Sequence, residues 1–441
     1  MAIEKEREVS RVLEAAAKSR RADLESWETA LKAAVLRAGA GVLEELLRDI
    51  GVGRREEPLR CTCGAQMESR GLKAKSLLTI LGEVRYGRTL FQCPVCQVTR
   101  YPGDEELDVV GTGRSPALRR LMARAGSKTT FKEGREDLRI YAGIPVTAKD
   151  VERVAERVGG EMEVWSQGER DNFLRQEPPT RGEKRIPVLY VSYDGTGVPM
   201  RPSELVGRRG KQADGSALTR EAKLGCVFTQ TMTDEKGFAM RDPDSTSFVS
   251  AIESSDEFGR RIYAESVRRG LYEAERVVVV GDAAEWIRTI AEEHFPGAIQ
   301  IIDLYHAREH ISNLCKILFG PDEKEVLKYR LRWWTYMDED KIERIIRQAK
   351  EKFPPGDDLL EMAKREVTFL EKNKERMRYK TFRAMGLFVG SGVVEAGCKT
   401  LIGHRLKQSG MEWSLRGANA ILSLRCMVQS GRLEEYWESR N

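Results

Sequence analysis

The sequence has no long hydrophobic run, and this argues against a membrane-embedded protein. No stretch approaches the roughly 18 consecutive apolar residues that suit a membrane-spanning helix. The first residues, MAIEKEREVSRVLEAAAKSRRADLE, are charged and helical in pattern, and they lack the apolar core of a signal peptide. Internal repeats and low-complexity tracts are also missing. We therefore expect a cytoplasmic, ordinary globular protein without a membrane partner.

Cysteine is sparse, with eight in the chain. In an intracellular protein this number indicates free thiols or metal ligands rather than structural disulfides. Four cysteines cluster near the N-terminus. The others are scattered and are interpreted most simply as small buried hydrophobic side chains; they are Cys226, Cys315, Cys398 and Cys426.

The composition is that of a globular chain with a sizeable core and a local excess of basic residues. The chain has 441 residues, with 41% hydrophobic, 32% charged and a net charge of +5. At roughly 100–200 residues per domain, this length suggests two to four domains. Residues 111–140 hold eight Lys/Arg against three acids. Such a cluster fits contacts with DNA phosphates, although a solvated helix face explains it as well. The predicted contacts here are Arg114, Arg119, Arg120 and Lys128.

The hydrophobic pattern predicts four regions. Residues 1–58 are helical, 59–108 form a zinc-ribbon-like module with a hairpin, 109–178 form a helical DNA-binding domain, and 186–441 are α/β. Within the third region, FKEGREDLRIYAGIPVTAKDVERVAERVG predicts helix, glycine turn and helix, with a capping box between Thr147 and Asp150. This pattern is typical of a helix-turn-helix unit, but many helical hairpins share it. Residues 176–185 are interpreted as a linker.

The C-terminal region predicts a mixed α/β layer with helices on both faces. Three strands are expected in a meander, IPVLYVSYDGTGVPM, EAKLGCVFTQTM and KGFAMRD. Helices then alternate with two further strands, RVVVVGD and GAIQIIDLY. A helical stretch follows, and the chain closes with GSGVVEAGCKTLIGHRLKQSGMEWS and one more helix.

Two close cysteine pairs predict a structural zinc site. Cys61 and Cys63 form a CxC pair, and Cys93 and Cys96 form a CxxC pair after a hairpin-sized interval. Four thiolates suit tetrahedral zinc, and such a closed site is structural rather than catalytic. A redox dithiol would not explain the second pair, whereas unliganded cysteines remain an alternative.

Two aspartates follow apolar strands. Asp194 ends the apolar part of VLYVSYDGTGVP, and Asp282 ends VVVVGD. The carboxyl end of a buried strand is where an α/β sheet usually carries its chemistry. For Asp282, a structural role as the cap of the following helix is the alternative.

Glu395 completes a candidate carboxylate triad. It lies in GSGVVEAGCKTLIGHRLK, where Gly392, Ala396 and Gly397 allow close helix packing. Carboxylate oxygens are ligands for Mg²⁺ or Mn²⁺. Two such ions can activate a water or a 3′-hydroxyl and stabilise the leaving oxygen in phosphoryl transfer.

Nearby motifs supply further candidates. Asp303 is an alternative metal carboxylate, and His306 could contact a metal ligand or the scissile phosphate, or serve a structural role. Past Glu395, basic groups with an interleaved tryptophan suit contacts with DNA, although the tryptophan fits a core position equally well. These residues are Lys399, Arg405, Lys407 and Trp413.

At these residues the chain resembles the ISKra-type insertion-sequence transposases of the DDE superfamily, which are related to Mutator-like enzymes. The resemblance covers CxCG…CxxC, YPGDEELDV, YDGTGVP, VVVVGDAAEWI, DLYHAREH and GSGVVEAGCKTLIGHRLKQSGMEWS. It implies an RNase H-like catalytic core with an all-helical insertion at about residues 315–385. It also implies that Asp194, Asp282 and Glu395 bind the catalytic metals, and that DLYHA is a D-x-x-H element.

The resemblance further implies binding to transposon ends and target DNA, and a homodimer or larger assembly on DNA. Two other functions remain open: a structure-selective nuclease with the same fold, and a non-catalytic zinc-containing DNA-binding regulator. Strand-transfer products would separate the first from a transposase, and an Asp194→Ala variant with intact biological effects would favour the second.

Overall fold

The computed structural model describes residues 10–12, 14–15, 23–50, 58–175, 185–210, 212 and 215–440. The chain divides into two compact units, residues 1–155 and 156–441. Most of the predicted linker, residues 176–184, lies outside the described residues, as does most of the chain before residue 23. Among the described residues, no helix combines the length and the apolar character that crossing a bilayer requires.

The first unit contains a helix and a small antiparallel sheet. Helix α1 spans Leu24–Ile50, and the strands are β1 (Glu68–Thr79), β2 (Gly82–Gln92) and β3 (Thr99–Arg100). The predicted hairpin is confirmed, since β1 pairs with β2. It turns at Gly82, whose φ of 130° favours glycine. Helix and sheet share a core of Leu47, Leu77, Val84, Tyr86 and Val109.

Four helices follow: α2 (Pro102–Glu106), α3 (Pro116–Lys128), α4 (Phe131–Ala142) and α5 (Ala148–Arg175). The predicted capping box is confirmed: the Asp150 N–H donates to Thr147 Oγ1 at 3.0 Å, and the Thr147 N–H donates to Asp150 Oδ2 at 3.3 Å. Gly143 ends α4 in the left-handed conformation. The predicted order of helix, glycine turn and helix is therefore present in α4 and α5.

Helix α5 continues past the end of the first unit, and its residues from Glu156 belong to the second. The predicted third region instead extended to residue 178. The C-terminal part of α5 is held within the second unit by two ion pairs, Glu163 with Arg261 at 2.8 Å and Glu169 with Arg432 at 2.9 Å. It also packs closely there at Gly159, where an added Cβ would lie 2.0 Å from the carbonyl oxygen of Ala420.

We expect Gly159→Ala to lower the free energy of unfolding by about 2 kcal/mol or more, because the new methyl group must displace backbone. The neighbouring Gly160 is a matched control, since an added Cβ there meets nothing within 4 Å. Gly160→Ala should be neutral or stabilising by up to about 1 kcal/mol through helix propensity. Urea unfolding of both variants tests this, and equal midpoints for the two would contradict the packing at Gly159.

A five-stranded mixed sheet forms the centre of the second unit. Its strands in chain order are β4 (Ile186–Pro199), β5 (Thr219–Gln230), β8 (Ser247–Ala251), β9 (Ala274–Gly281) and β10 (Ile299–Ile302), and a separate pair is formed by β6 (Met232–Thr233) and β7 (Ala239–Met240). The sheet order is β10-β9-β4-β5-β8. Strands β4, β9 and β10 are parallel, whereas β5 pairs antiparallel with both β4 and β8.

The predicted third meander strand, KGFAMRD, is wrong. Its Ala239 and Met240 form β7, which pairs with β6 in a separate two-stranded hairpin. The third strand of the main sheet is β8, Ser247–Ala251, which the sequence analysis missed. Burial distinguishes the two segments. Strand β8 is largely buried in the main sheet, whereas Met232 and Met240 of the separate hairpin are exposed.

Helices pack on the sheet and then fill the interval before Glu395. Helices α6 (Ser255–Arg268) and α7 (Glu285–His294) share a core with the sheet that includes Leu189, Tyr193, Phe258 and Ile290. Every regular element between Leu304 and Ala384 is helical: α8 (Leu304–Phe319), α9 (Glu323–Asp338), α10 (Ile342–Lys350), α11 (Asp357–Asn373), the 3₁₀ turn Lys374–Met377 and α12 (Tyr379–Ala384). The chain ends with α13 (Gly392–Gly397), a π-helix (Cys398–Gly403), α14 (His404–Leu406), α15 (Leu415–Gln429) and α16 (Leu433–Glu438).

Candidate functional site

The two predicted strand-tip aspartates lie side by side on neighbouring parallel strands, since Tyr193 of β4 pairs with Gly281 of β9. Asp282 follows the last residue of β9, whereas Asp194 lies within β4, which continues to Pro199 and pairs there with β5. The alternative role of Asp282 as a helix cap is not observed, because the N-cap of α7 is Ala284 and no side chain caps it. Parallel pairing of two buried strands thus positions both carboxylates at one sheet edge.

Glu395 is brought to the same edge by the close packing of α13. An added Cβ at Gly397 would lie 2.8 Å from Leu224 and 2.9 Å from Phe248, so glycine allows the helix to approach β5 and β8. Of the three small residues predicted to do this, Gly397 alone is buried, whereas Gly392 and Ala396 are exposed. The π-helix that follows is a rare conformation often found at functional sites.

Asp194, Asp282 and Glu395 line one pocket, together with Asp303 and His306. The structure therefore brings together all five residues predicted to carry catalysis. The carboxylates share the pocket but do not form a closed ligand set. Among the described residues, four cysteines are the group whose ligand atoms all lie within 4.8 Å of one another.

The pocket concentrates negative charge. Burial raises the pKa of Asp282, and the carboxylates of Asp194, Asp303 and Glu395 raise it further. His306 opposes this shift, with Nδ1 at 3.7 Å from Asp282 Oδ1. Within the described part of the chain, no lysine or arginine forms an ion pair with these four carboxylates. Uncompensated carboxylates in a half-buried pocket favour a bound cation.

Asp303 has a structural role that the sequence analysis did not foresee. It caps α8, where Oδ1 accepts the His306 N–H at 2.8 Å. Its Oδ2 accepts the N–H of Ser391 at 2.6 Å and the Ser391 hydroxyl at 3.0 Å. That hydroxyl also lies 3.2 Å from Glu395 Oε1. Both oxygens of Asp303 are thus engaged, and they tie the start of α8 to the segment that carries Glu395.

We expect Asp303→Ala to lower the free energy of unfolding by about 2–4 kcal/mol, because it removes a helix cap and leaves buried Ser391 groups unsatisfied. Asp256→Ala changes an exposed acid in the first turn of α6 and should shift stability by about 0.5 kcal/mol or less. Thermal unfolding compares the two. If Asp303→Ala lowers the free energy of unfolding no more than Asp256→Ala does, the hydrogen bonds of Asp303 to α8 and Ser391 do not stabilise the fold.

Cys398 is a pocket neighbour that the sequence analysis treated as one of the scattered buried thiols. Its Sγ lies 3.5 Å from Asp194 Oδ2, and burial and the nearby Asp194 raise its pKa. The thiol is therefore neutral and can donate to the carboxylate. Asp194 Oδ1 accepts the N–H of Gly195 at 2.6 Å. The helical spacing from Glu395 to Cys398 was the one available signal for this contact.

Two of the predicted DNA contacts in the second unit are buried, which corrects the prediction. Arg405 is fully buried with its guanidinium 5.1 Å from the ring centre of Trp413, and the Trp413 indole N–H donates to the Leu406 carbonyl at 3.0 Å. Both side chains fill core positions. Lys399 and Lys407 are exposed, and Lys407 Nζ contacts Thr196 Oγ1 on β4.

The basic cluster of the first unit divides in the same way. Arg119 is 2% exposed and donates to the carboxylate of Asp108 at 2.6 Å, so its predicted contact with DNA is also corrected. Arg114 is half-buried, with NH2 3.3 Å from Asp150. Arg120 and Lys128 are exposed on α3. Burial follows from the amphipathic face of the helix, and charge alone does not reveal it.

The four clustered cysteines converge in the first unit, where they could bind zinc. Their Sγ atoms all lie within 4.8 Å of one another, with 3.4 Å between Cys61 and Cys96 and 3.5 Å between Cys63 and Cys93. One pair precedes β1 and the other lies between β2 and β3. The Cys63 backbone N–H lowers the pKa of Cys61 to about 6, and the Cys96 N–H lowers that of Cys93, whereas contacts with these two thiols raise the pKa of Cys63 and Cys96. Thiolates are the form that binds metal.

Comparisons with known proteins add little to this geometry. No family model matches the chain, and no curated protein matches it. Among solved structures, the chain is similar to one described as the Drosophila P element transposase strand transfer complex. The TM-score is 0.24 at 11% identity, over 76% of this chain and 83% of that chain. A similarity this low does not indicate a function, so any functional assignment depends on the pocket residues.

Proposed function

We propose that the protein is a DNA transposase of the DDE type, in which Asp194, Asp282 and Glu395 bind two Mg²⁺ or Mn²⁺ ions. The observation that carries this proposal is the convergence of three carboxylates, from β4, the end of β9 and α13, in one pocket. Their chain positions are remote, and the pocket has no lysine or arginine counterion among the described residues. Hard oxygen ligands with uncompensated charge suit divalent cations of this kind.

The sheet and its connections support an RNase H-like core. Three antiparallel strands, β4, β5 and β8, are followed by two parallel strands that alternate with helices. The wholly helical segment between β10 and Glu395 corresponds to the insertion expected at about residues 315–385. The motifs around Asp194, Asp282, Asp303 and Glu395 are the ones that resemble ISKra-type transposases, which makes that family our specific proposal.

The residues of the pocket have distinct roles in this proposal. Asp194 and Asp282 bind the ions from two adjacent strands, and Glu395 does so from the helix α13. The bound ions would activate a water or a 3′-hydroxyl and stabilise the leaving oxygen of an in-line displacement at phosphorus. His306, beside Asp282, is placed to orient that carboxylate or to contact the scissile phosphate. Asp303 holds the Ser391 end of the helix that presents Glu395.

We propose that DNA is contacted by those of the predicted Lys and Arg residues whose side chains are exposed. Lys399 and Lys407 belong to the pocket-bearing unit, and Lys407 contacts the strand that carries Asp194. Arg120 and Lys128 are the exposed members on α3 of the first unit. We propose that the zinc module is structural and that the protein assembles on DNA as a homodimer or a larger oligomer, since two ends must be joined.

Incubation with a plasmid that carries the DNA flanking this gene tests the proposed function. With Mg²⁺ or Mn²⁺ we expect both cleaved and strand-joined products, and none in EDTA. Cleavage without joining would assign the chain to the nucleases. Failure to cut in either metal, with DNA binding intact, would contradict catalysis altogether and favour a regulator.

A further inference from the structure

A second concave surface adjoins the carboxylate pocket, and its charge is of the opposite sign. This groove, which we name the α7–α11 groove, is lined by five basic and two acidic side chains. The basic residues are Arg288, Lys364, Arg365, Lys372 and Arg376, and the acids are Glu285 and Glu361. Neighbouring cations repel one another, so a cluster of this kind is stabilised by a bound polyanion.

Three of the five basic side chains lie on α11. Lys364, Arg365 and Lys372 are exposed and recur at the three- and four-residue intervals of a helix face, with Thr368 between them. Lys364 Nζ lies 2.9 Å from Glu361 Oε1, whereas neither Arg365 nor Lys372 forms an ion pair among the described residues. Opposite them, Ala283 and Glu285 line the groove at the N-terminus of α7, which has no side-chain cap.

The groove lies next to the carboxylate pocket, although the two share no lining residue. Ala283, which lines it, is the residue after Asp282. On the other wall, Phe369 lies with its ring centre 6.3 Å from that of His306, which lines the pocket. The Phe369 ring also stacks on His310 at 3.6 Å, which holds it in place between the two surfaces. A polymer bound in the groove would therefore pass its backbone to the carboxylates.

We propose that the α7–α11 groove binds the phosphodiester backbone of the DNA strand that enters the carboxylate pocket. This inference rests on the proposed function, because DNA is the polyanion on which that pocket acts. Regularly spaced cations along a helix match the repeated charges of a nucleic-acid strand. The exposed face of Thr368 can donate to a phosphate oxygen, and Phe369 offers an aromatic edge where the groove meets the pocket.

Lysine footprinting of the full-length protein tests the groove directly. With acetylation read by mass spectrometry, a short duplex should protect Lys364 and Lys372 but leave Lys324 and Lys328 of α9 reactive. Inorganic phosphate at the same phosphate concentration should protect neither pair. Equal protection by inorganic phosphate would reduce the groove to a site for small anions, and the absence of protection by DNA would overturn the proposal.

A charge-matched pair of variants gives a second measurement. Lys364→Gln/Arg365→Gln/Lys372→Gln should lower the slope of log affinity against log salt concentration by about 2–3, because each lost phosphate contact removes about 0.7–0.9. Lys324→Gln/Lys328→Gln/Lys341→Gln removes the same charge from the same helical segment outside the groove and should keep the wild-type slope.

The proposal for the groove and the proposal of transposase activity can be contradicted independently of each other. If the groove variant keeps the wild-type salt slope while the wild-type protein cuts and joins DNA with Mg²⁺, the groove proposal is overturned and the transposase proposal stands. A wild-type protein that protects the groove lysines on DNA but never cuts would support the groove and overturn the transposase.

Discussion

Asp194→Asn, Asp282→Asn and Glu395→Gln should each lower the rate of DNA strand cleavage by at least about 1,000-fold while leaving DNA binding within about threefold of wild type. The substitutions keep the size of each side chain but remove its charge and replace one acceptor oxygen by an NH₂ donor. If the three carboxylates hold the same pair of ions, losing one disables the others. The double variant Asp194→Asn/Asp282→Asn should therefore be no worse than the poorer single variant.

Single-turnover cleavage of a labelled DNA end measures the cleavage rate, and a separate binding experiment in EDTA measures the DNA affinity. Glu293→Gln is the control, because Glu293 is exposed at the far end of α7 and lines neither the pocket nor the groove. Its rate should match wild type. A rate within tenfold of wild type for any of the three pocket variants would remove that residue from the proposed triad.

Loss of one zinc ligand should have the second large effect. Cys63→Ala is expected to lower zinc affinity by at least about 100-fold and to destabilise the first unit, because zinc binding supplies about 10 kcal/mol or more of folding free energy in small zinc modules. The four cysteines lie at the turns that end β2 and precede β1 and β3, so their ligation fixes the ends of the three-stranded sheet.

Zinc content of the native protein by mass spectrometry, together with limited proteolysis of the first unit, measures this effect. The expected stoichiometry is one zinc per chain, falling to near zero in Cys63→Ala. Thr62→Ala changes the adjacent exposed position of the same turn and should retain both the metal and the protease resistance. A wild-type protein without zinc, or a metal-free variant with an unchanged first unit, would contradict the structural role.

Local pattern was enough to predict most elements of the sheet and the pocket. Buried apolar runs marked β4 and β9, and the ends of those runs identified Asp194 and Asp282, although β4 itself continues to Pro199. The capping box at Thr147 also followed from neighbouring residues alone. These features depend on interactions within a few positions of the chain, which periodicity and capping rules describe directly.

Features that depend on distant partners were harder to predict. Strand β8 is five residues long and is recognised by its pairing with β5, whereas KGFAMRD had a comparable local pattern. Arg119 and Arg405 were predicted to contact DNA, and the role of Trp413 was left open between DNA contact and core packing, because nothing nearby in sequence shows what buries these side chains. The link from Asp303 to Ser391 joins segments on either side of the helical insertion. Only folding brings such partners together.

The convergence of three carboxylates on bound cations can be measured by replacing Mg²⁺ with Fe²⁺ and generating hydroxyl radicals at the bound ion. The radicals cut the polypeptide backbone close to the metal, so the account predicts cuts near Asp194, Asp282 and Glu395 in one protein. All three cuts should weaken together in Asp282→Asn and in the presence of excess Mg²⁺. Cuts confined to one of these segments, or a pattern that Asp282→Asn leaves unchanged, would show that the carboxylates do not share a metal.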